Sequence, residues 1–341
     1  MSRASGAILE RDLLIIGAGP VGLYAGYYAG FRGLSTAIID SLPEAGGQVS
    51  AMYPEKPIYD VAGFPAVLGR ELVENLVLQA APFHPLYLLG QRAVSLRHLE
   101  DGTIEVETEA VQPNQPPALL HVRAVVISAG IGGFTPRPFP AGSEWLGRGV
   151  SFFVPSLALH AGQDVVVVGG GDSACDWALS LEPVARSVAL VHRRAGFRAH
   201  EHSVARLNTS SVEVVTEAEV TKLIGGEVLE TVEITRNDGT TVSRPAQAVI
   251  AALGFIANLG PVRDWGLEIV GGRYVSVGST MATNLPGVFG AGDVVDYPGK
   301  VRLISVGFGE AATAVNNAAV LLHPNEQIFP GHSSDTTPPT P

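Results

Sequence analysis

A short, almost wholly apolar run, DLLII at Asp12–Ile16, stops at Gly17, and small and aromatic residues then continue to Arg32. The run reads as a buried strand, and Pro20 to Arg32 as a helix packed closely on a sheet. LSTAII at Leu34–Ile39 is a second strand ending in Asp40. Strand, glycine turn, helix and strand together open a doubly wound α/β domain. The stretch Ser41–Gly69 is rich in Pro, Gly and Tyr without a clean period, which predicts an ordered, site-forming connection. A helix over Arg70–Ala81, an antiparallel excursion through Ala93–Val122 and a strand at His121–Ser128 follow.

The pattern returns about 150 residues later. Asp164–Val168 is a strand, Gly169–Ala174 reads GGGDSA, a helix covers Ser173–Leu181, and SVALVHRR at Ser187–Arg194 is a strand with a charged end. AVIAALG at Ala248–Gly254 echoes AVVISAG at Ala124–Gly130. No third glycine-rich opening follows, so VFGAGDVV at Val288–Val295 and a helix over Gly309–Leu322 belong back with the first domain. The expected fold is α/β: two Rossmann-like, three-layer nucleotide-binding domains, the second inserted into a discontinuous first. Its boundaries are 1–130, 131–254 and 255–334, with 335–341 a flexible Pro/Ser/Thr tail.

Composition narrows the function classes. With 341 residues and 46% hydrophobic residues the chain supports two folded domains. No apolar run is long enough for a membrane span, and after the polar lead MSRASG neither a span nor a cleaved signal peptide is expected. A single cysteine, Cys175, excludes an intrachain disulfide and a cysteine zinc cluster and fits a reducing, cytoplasmic setting. It reads as a small buried filler. The net charge of -11 argues against a nucleic-acid surface. Nine histidines show no metal-ligand spacing, although His200-Glu201-His202 invites a motif search, so no metal is expected.

Gly17, Gly19 and Gly22 in GAGPVG allow, in turn, the sharp turn, the approach of backbone to a pyrophosphate and close helix–strand packing. The pyrophosphate then meets the free N–H groups of the helix N-terminus. Asp40 accepts hydrogen bonds from an adenosine ribose and repels a 2′-phosphate, so this half binds FAD or NAD(H). Gly169, Gly171 and Ala174 repeat the pattern, but His192, Arg193 and Arg194 stand where Asp40 stands in the first unit. Guanidinium forks match a phosphate, which points to NADPH, with Arg198 closing on the same group.

These residues resemble the thioredoxin-reductase-like ferredoxin–NADP reductases. The likeness rests on GAGPVGLYAGYY from Gly17, GGQVSAMYPEKPIYDVAGFP from Gly46, GIGGFTPRP from Gly130, GGGDSACDWAL from Gly169, HRRAGFRAHE from His192, VFGAGD from Val288 and SVGFGEAATAVNNA from Ser305. It implies a homodimer with an NADPH domain set into the FAD domain. By this resemblance Asp40 holds the FAD ribose, and Gln48, Val94, Phe134 and Asp293 contact FAD. Tyr53 stacks on the isoalloxazine, and a C-terminal segment of the partner subunit brings His332 and Ser334 to the other flavin face.

Thioredoxin reductases share both domains but need a C-x-x-C dithiol; here Phe153 and Ser156 occupy those places, and neither forms a disulfide. Electrons therefore leave the flavin directly for an external acceptor. The expected reaction is hydride transfer between NADPH and flavin N5, at roughly 3 to 3.5 Å, with one-electron steps to ferredoxin or flavodoxin. Segments Gly130–Arg137 and Leu253–Asn258 are the natural hinges. Such acceptors are acidic, so Lys56, Lys300 and Arg302 are candidates for a basic docking patch. A reductase of another small acceptor, such as a quinone or metal chelate, and a non-turnover redox sensor remain open alternatives.

Overall fold

The computed structural model describes residues 8–111 and 115–332. By compactness the chain divides into two units. One contains the described residues up to Ala51, Pro57–Gly133 and the residues from Ala257 on; the other contains Met52–Lys56 and Phe134–Ile256.

In the first unit, strand Ile8–Ile16 sits centrally, parallel to Thr36–Asp40 on one side and Leu119–Ile127 on the other. Leu13, Leu14 and Ile15 are fully buried, as both-face burial in a parallel sheet requires. Leu86–Leu89 extends the sheet beyond Thr36–Asp40. Strand Leu119–Ile127 is shared: its first half pairs antiparallel with Ile104–Ala110, and its last residues pair with Val288–Gly290 from the C-terminal part of the chain. Gln91–His98 completes the antiparallel edge, and its register shifts between Ala93 and Ser95, which makes Val94 the bulge residue. Helices Pro20–Phe31, Gly69–Ala80 and Ile304–Leu322 pack together, the first touching both others.

The helix at Ile304–Leu322 begins five residues before the expected Gly309. Gly307 and Gly309 argue against a helix by propensity, but Gly307 is where the helix meets Val21: a Cβ there would stand 2.4 Å from the Val21 side chain. Tertiary packing overrides the local preference.

The second unit is built on five parallel strands in the order Val150–Ser151, Ala248–Ala251, Asp164–Val168, Ser187–His192, Glu213–Thr216. Alternate residues face two separate cores. Val166 joins one with Val220, Leu223, Val232 and Ile234 of the antiparallel strands Ala218–Gly225 and Leu229–Arg236. Val165 and Val167 join the other with Ala174, Cys175, Ala178 and Leu181 of helix Asp172–Leu181 and Leu207 of helix Glu201–Thr209. The result is three layers: helices, parallel sheet and a small antiparallel sheet. Strands Gly133–Pro136 and Phe255–Asn258, at the expected hinge positions, pair with one another.

Candidate dinucleotide sites

Each unit places a glycine turn at the end of its central strand and the start of its first helix, and the three positions of each turn serve separable purposes. Gly17 has φ +111°, and a Cβ there would lie 2.5 Å from the Ser128 carbonyl oxygen. At Gly22 a Cβ would fall 1.8 Å from the Gly17 carbonyl oxygen. Both glycines are thus demanded by the protein's own packing. Gly19 differs: it caps helix Pro20–Phe31 with φ -69°, a conformation open to any residue, and nothing lies within 4 Å of an added Cβ. The space before Gly19 is a cradle beside free helix N–H groups, which fits a pyrophosphate.

The turn is held from below. Gly17 N donates to Ile39 O at 2.8 Å, and the buried Ser128 hydroxyl donates to Gly17 O at 3.0 Å. Ser128 escaped sequence reading, although its place at the end of the AVVISAG strand is a usable signal. Asp40 lies beside this turn, taking Ala18 N at 2.7 Å on Oδ2 and Leu42 N at 2.9 Å on Oδ1. Burial pushes its carboxyl pKa up, against the backbone donors of Leu42, Ala18 and Ser41. With three of its four acceptor sites taken by backbone N–H groups, one remains for a sugar hydroxyl.

The GGQ segment joins the same place. Gly46 N donates to Ala18 O at 2.8 Å, and a Cβ on Gly47 would meet Gly19 Cα at 3.0 Å. Gln48 opens helix Gln48–Met52 with its amide nitrogen 3.1 Å from where a Gly130 Cβ would stand. Val94 O receives the Trp265 indole N–H at 3.3 Å. Asp293 follows Gly292, whose φ is +83°, and burial raises its pKa while Lys300 and Arg302 oppose the shift. Tyr53 packs on the core of the second unit with Leu157, whose backbone N–H donates to Glu55 Oε2 at 2.8 Å. Residues Met52–Lys56 therefore go with the second unit, which no sequence signal foretold.

The second turn repeats the division of labour. Gly169 has φ +156°, and its Cβ would stand 2.5 Å from Ala252 O and 2.9 Å from Ala174 Cβ; around Gly171 there is open space. Strand Ser187–His192 ends before Arg193, and the following loop folds back on the turn. Arg198 N donates to Gly170 O at 2.7 Å, and His200 N donates to Asp172 Oδ1 at 2.8 Å. Arg193, Arg194 and Arg198 are exposed along this loop. His192 is buried instead, stacked on Phe197, with Nε2 3.2 Å from Gly196 O. Burial first, then the neighbouring arginines, lower its pKa against the Gly196 contact. A Cβ on Gly170 would collide with its ring. His192 supports the glycine turn from within the fold.

At the C-terminal side, Arg32 is 8% exposed and clamps the approach to the tail. It donates to Asn316 Oδ1 at 2.6 Å, Glu326 Oε2 at 2.9 Å, Ile328 O at 3.1 Å and Gln327 O at 3.2 Å. His332 is exposed, with its ring 5.2 Å from that of Phe329. Ser334 lies outside the described residues, as does the side chain of Phe134.

Two expectations about charge and thiol chemistry resolve differently. Lys56, Lys300 and Arg302, the candidates for a basic docking patch, are each matched by a carboxylate of their own unit. Lys300 is buried against Glu310, Lys56 pairs with Asp176, and Arg302 pairs with Asp296 at 2.9 Å while lying over the Tyr274 ring. Cys175 is buried, and desolvation with Asp176 and Asp172 nearby pushes its pKa to about 11, so it stays a thiol. Phe153 stacks on Phe255 with ring centroids 5.3 Å apart. Among the described residues no cluster of His, Cys, Asp and Glu is placed to hold a metal, and no helix is long and apolar enough to cross a membrane.

Residues 11–318 match the pyridine nucleotide-disulphide oxidoreductase family. The chain belongs to that family. This oxidoreductase is 60% identical over 328 residues to a ferredoxin–NADP reductase of Nocardioides sp., covering 96% of this chain and 98% of that one. It is 47% identical over 337 residues to a ferredoxin–NADP reductase of Thermus thermophilus, covering 97% and 98%. Among solved structures, a thioredoxin reductase of T. acidophilum superposes with a TM-score of 0.76 at 25% identity, covering 92% of this chain and 99% of that one. With one cysteine in its sequence, this family member has no redox-active cysteine pair.

Proposed function

We propose that this chain is a ferredoxin–NADP reductase, carrying electrons between NADPH and a ferredoxin or flavodoxin through FAD. The observation that carries the reading is the inequality of the two glycine turns: a half-buried carboxylate, Asp40, beside the first, and exposed Arg193 and Arg194 beyond the second. An acid there accepts ribose hydroxyls, whereas guanidinium groups take a 2′-phosphate. End-to-end likeness to named ferredoxin–NADP reductases supports the same assignment.

FAD, when bound, takes a hydride from a two-electron donor and passes electrons singly to a one-electron carrier. The chain's own residues bind, orient and exclude water. Gly17, Gly19, Gly22 and Asp40 seat the adenosine and pyrophosphate end, and Gln48, Val94, Phe134 and Asp293 hold the rest. Tyr53 stacks on the ring system. Gly169, Gly171 and Ala174 seat the NADPH pyrophosphate, Arg193, Arg194 and Arg198 its 2′-phosphate, and His192 shapes the turn beneath them. The protein works as a homodimer, with His332 and Ser334 of one protomer covering the flavin of the other. Arg32 fixes where that segment leaves the body of its own chain. Residues Gly130–Arg137 and Leu253–Asn258 serve as hinges.

The acceptor is tested by steady-state turnover of the FAD-loaded dimer with NADPH and equal concentrations of ferredoxin, thioredoxin or a soluble quinone. Ferredoxin is expected to be preferred by at least about a hundredfold in kcat/KM, because no dithiol can pass electrons to thioredoxin. Faster turnover with the quinone would transfer the assignment to a reductase of another small acceptor.

A further inference from the structure

One buried ionic cluster in the first unit has no part in the reading above. Glu310, on helix Ile304–Leu322, is 4% exposed, and the Lys300 side chain paired with it is 2% exposed. The Tyr297 hydroxyl donates to Glu310 Oε1 at 2.6 Å, and Lys300 Nζ donates to the same oxygen. The other oxygen, Oε2, accepts the Gly292 backbone N–H at 2.7 Å. Gly292 immediately precedes Asp293.

Taking two charges out of water is costly, and a matched apolar pair is often as stable or more so. Stability alone therefore gives no reason for an ion pair here; geometry does. Gly292 has φ +83°, and a Cβ on it would stand 3.2 Å from Val21 Cγ2, inside the GAGPVG turn. Gly307, one helical turn before Glu310, approaches the same Val21 side chain and lies with its would-be Cβ 3.5 Å from Gly292 Cα. The first glycine turn, the Gly292–Asp293 turn and the start of helix Ile304–Leu322 thus converge, and Glu310 supplies the polar bond that ties the second to the third.

We propose that Glu310 is a positioning residue of the FAD site: balanced by Lys300, its carboxylate fixes the Gly292–Asp293 turn in the shape that presents Asp293 to the cofactor. The inference rests on the reading that this turn belongs to the FAD site. Lys300 lets a second carboxylate sit beside Asp293 without an uncompensated negative charge. Tyr297 satisfies the remaining acceptor capacity of the same oxygen.

Two charge-neutral double variants separate positioning from bulk stability. K300M/E310Q keeps an oxygen that accepts Gly292 N–H; K300M/E310M has similar volume and no acceptor. We expect the Kd for FAD, measured by titrating the apo-protein, to stay within about threefold of the parent in K300M/E310Q and to rise at least about tenfold in K300M/E310M, more than the difference in thermal midpoint between the two apo-proteins accounts for. Equal affinities, or a loss that follows the thermal midpoint, would overturn the proposal. A second measurement needs no variant: the Gly292 amide of the parent apo-protein should exchange with solvent at least about a hundredfold more slowly than the Gly299 amide, and equal rates would also overturn it. If the parent bound no FAD, the reading of the site would fail, while Gly292 exchange would still decide whether Glu310 holds the turn.

Discussion

Replacing Arg193 and Arg194 together by alanine is expected to lower kcat/KM for NADPH by roughly a hundredfold to a thousandfold, while kcat/KM for NADH changes less than about threefold. The two differ only in the 2′-phosphate, so a contact with that group appears in one and not the other. Hydrogen bonds between charged partners contribute about 1.5–3 kcal/mol each, and two of them near the lower end, together about 3–4 kcal/mol, account for the expected range. His192 beneath the pair is buried against Phe197 and Gly196, contacts that the variant keeps. The Arg198 N to Gly170 O bond keeps the loop on the glycine turn in the variant. Equal losses with both cofactors would remove the 2′-phosphate from this loop.

The second large effect is expected from valine at two glycines three residues apart, with opposite signatures. Gly22→Val puts a side chain where even a Cβ would stand 1.8 Å from Gly17 O, so the turn must open. Overpacking of this kind costs about 1–3 kcal/mol or more, and the variant should melt several degrees lower and lose its FAD. A Cβ on Gly19 meets only open space and the backbone conformation suits any residue, so the apo-protein should melt within a few degrees of the parent, less the modest cost of valine at a helix N-cap. Its affinity for FAD should fall by about a hundredfold, because the side chain fills the place of the pyrophosphate and blocks the helix N–H groups. The check is paired calorimetry and FAD titration. A Gly19→Val protein that keeps FAD tightly would move the pyrophosphate elsewhere.

The sequence announced what depends on local pattern. The strand Asp164–Val168 was legible to the residue, because a run of valines between polar ends admits one reading. Both glycine turns were legible because their spacing encodes three separate steric demands, which the Cβ distances at Gly17, Gly19 and Gly22 resolve one by one. Illegible features all depend on residues distant in sequence. Lys300 read as a candidate for an open basic patch, since hydropathy assigns each residue its isolated cost and ignores burial against a partner such as Glu310. Arg32 looked like the polar end of a helix, although its partners lie almost three hundred residues downstream. Packing of Tyr53 on the second unit could not be read from a loop that has no period.

The central claim is that one chain holds FAD by its first glycine turn, meets NADPH at its second, and releases electrons to ferredoxin without a dithiol. Sequential anaerobic stopped flow tests it most directly. The FAD-loaded protein is mixed with one equivalent of NADPH, then with oxidised ferredoxin, while the yellow flavin absorbance is followed. The account predicts rapid bleaching in the first mix and recovery of the flavin colour in the second, with ferredoxin reduced in two one-electron equivalents per flavin. Bleaching without recovery, or no bleaching with NADPH, would contradict it.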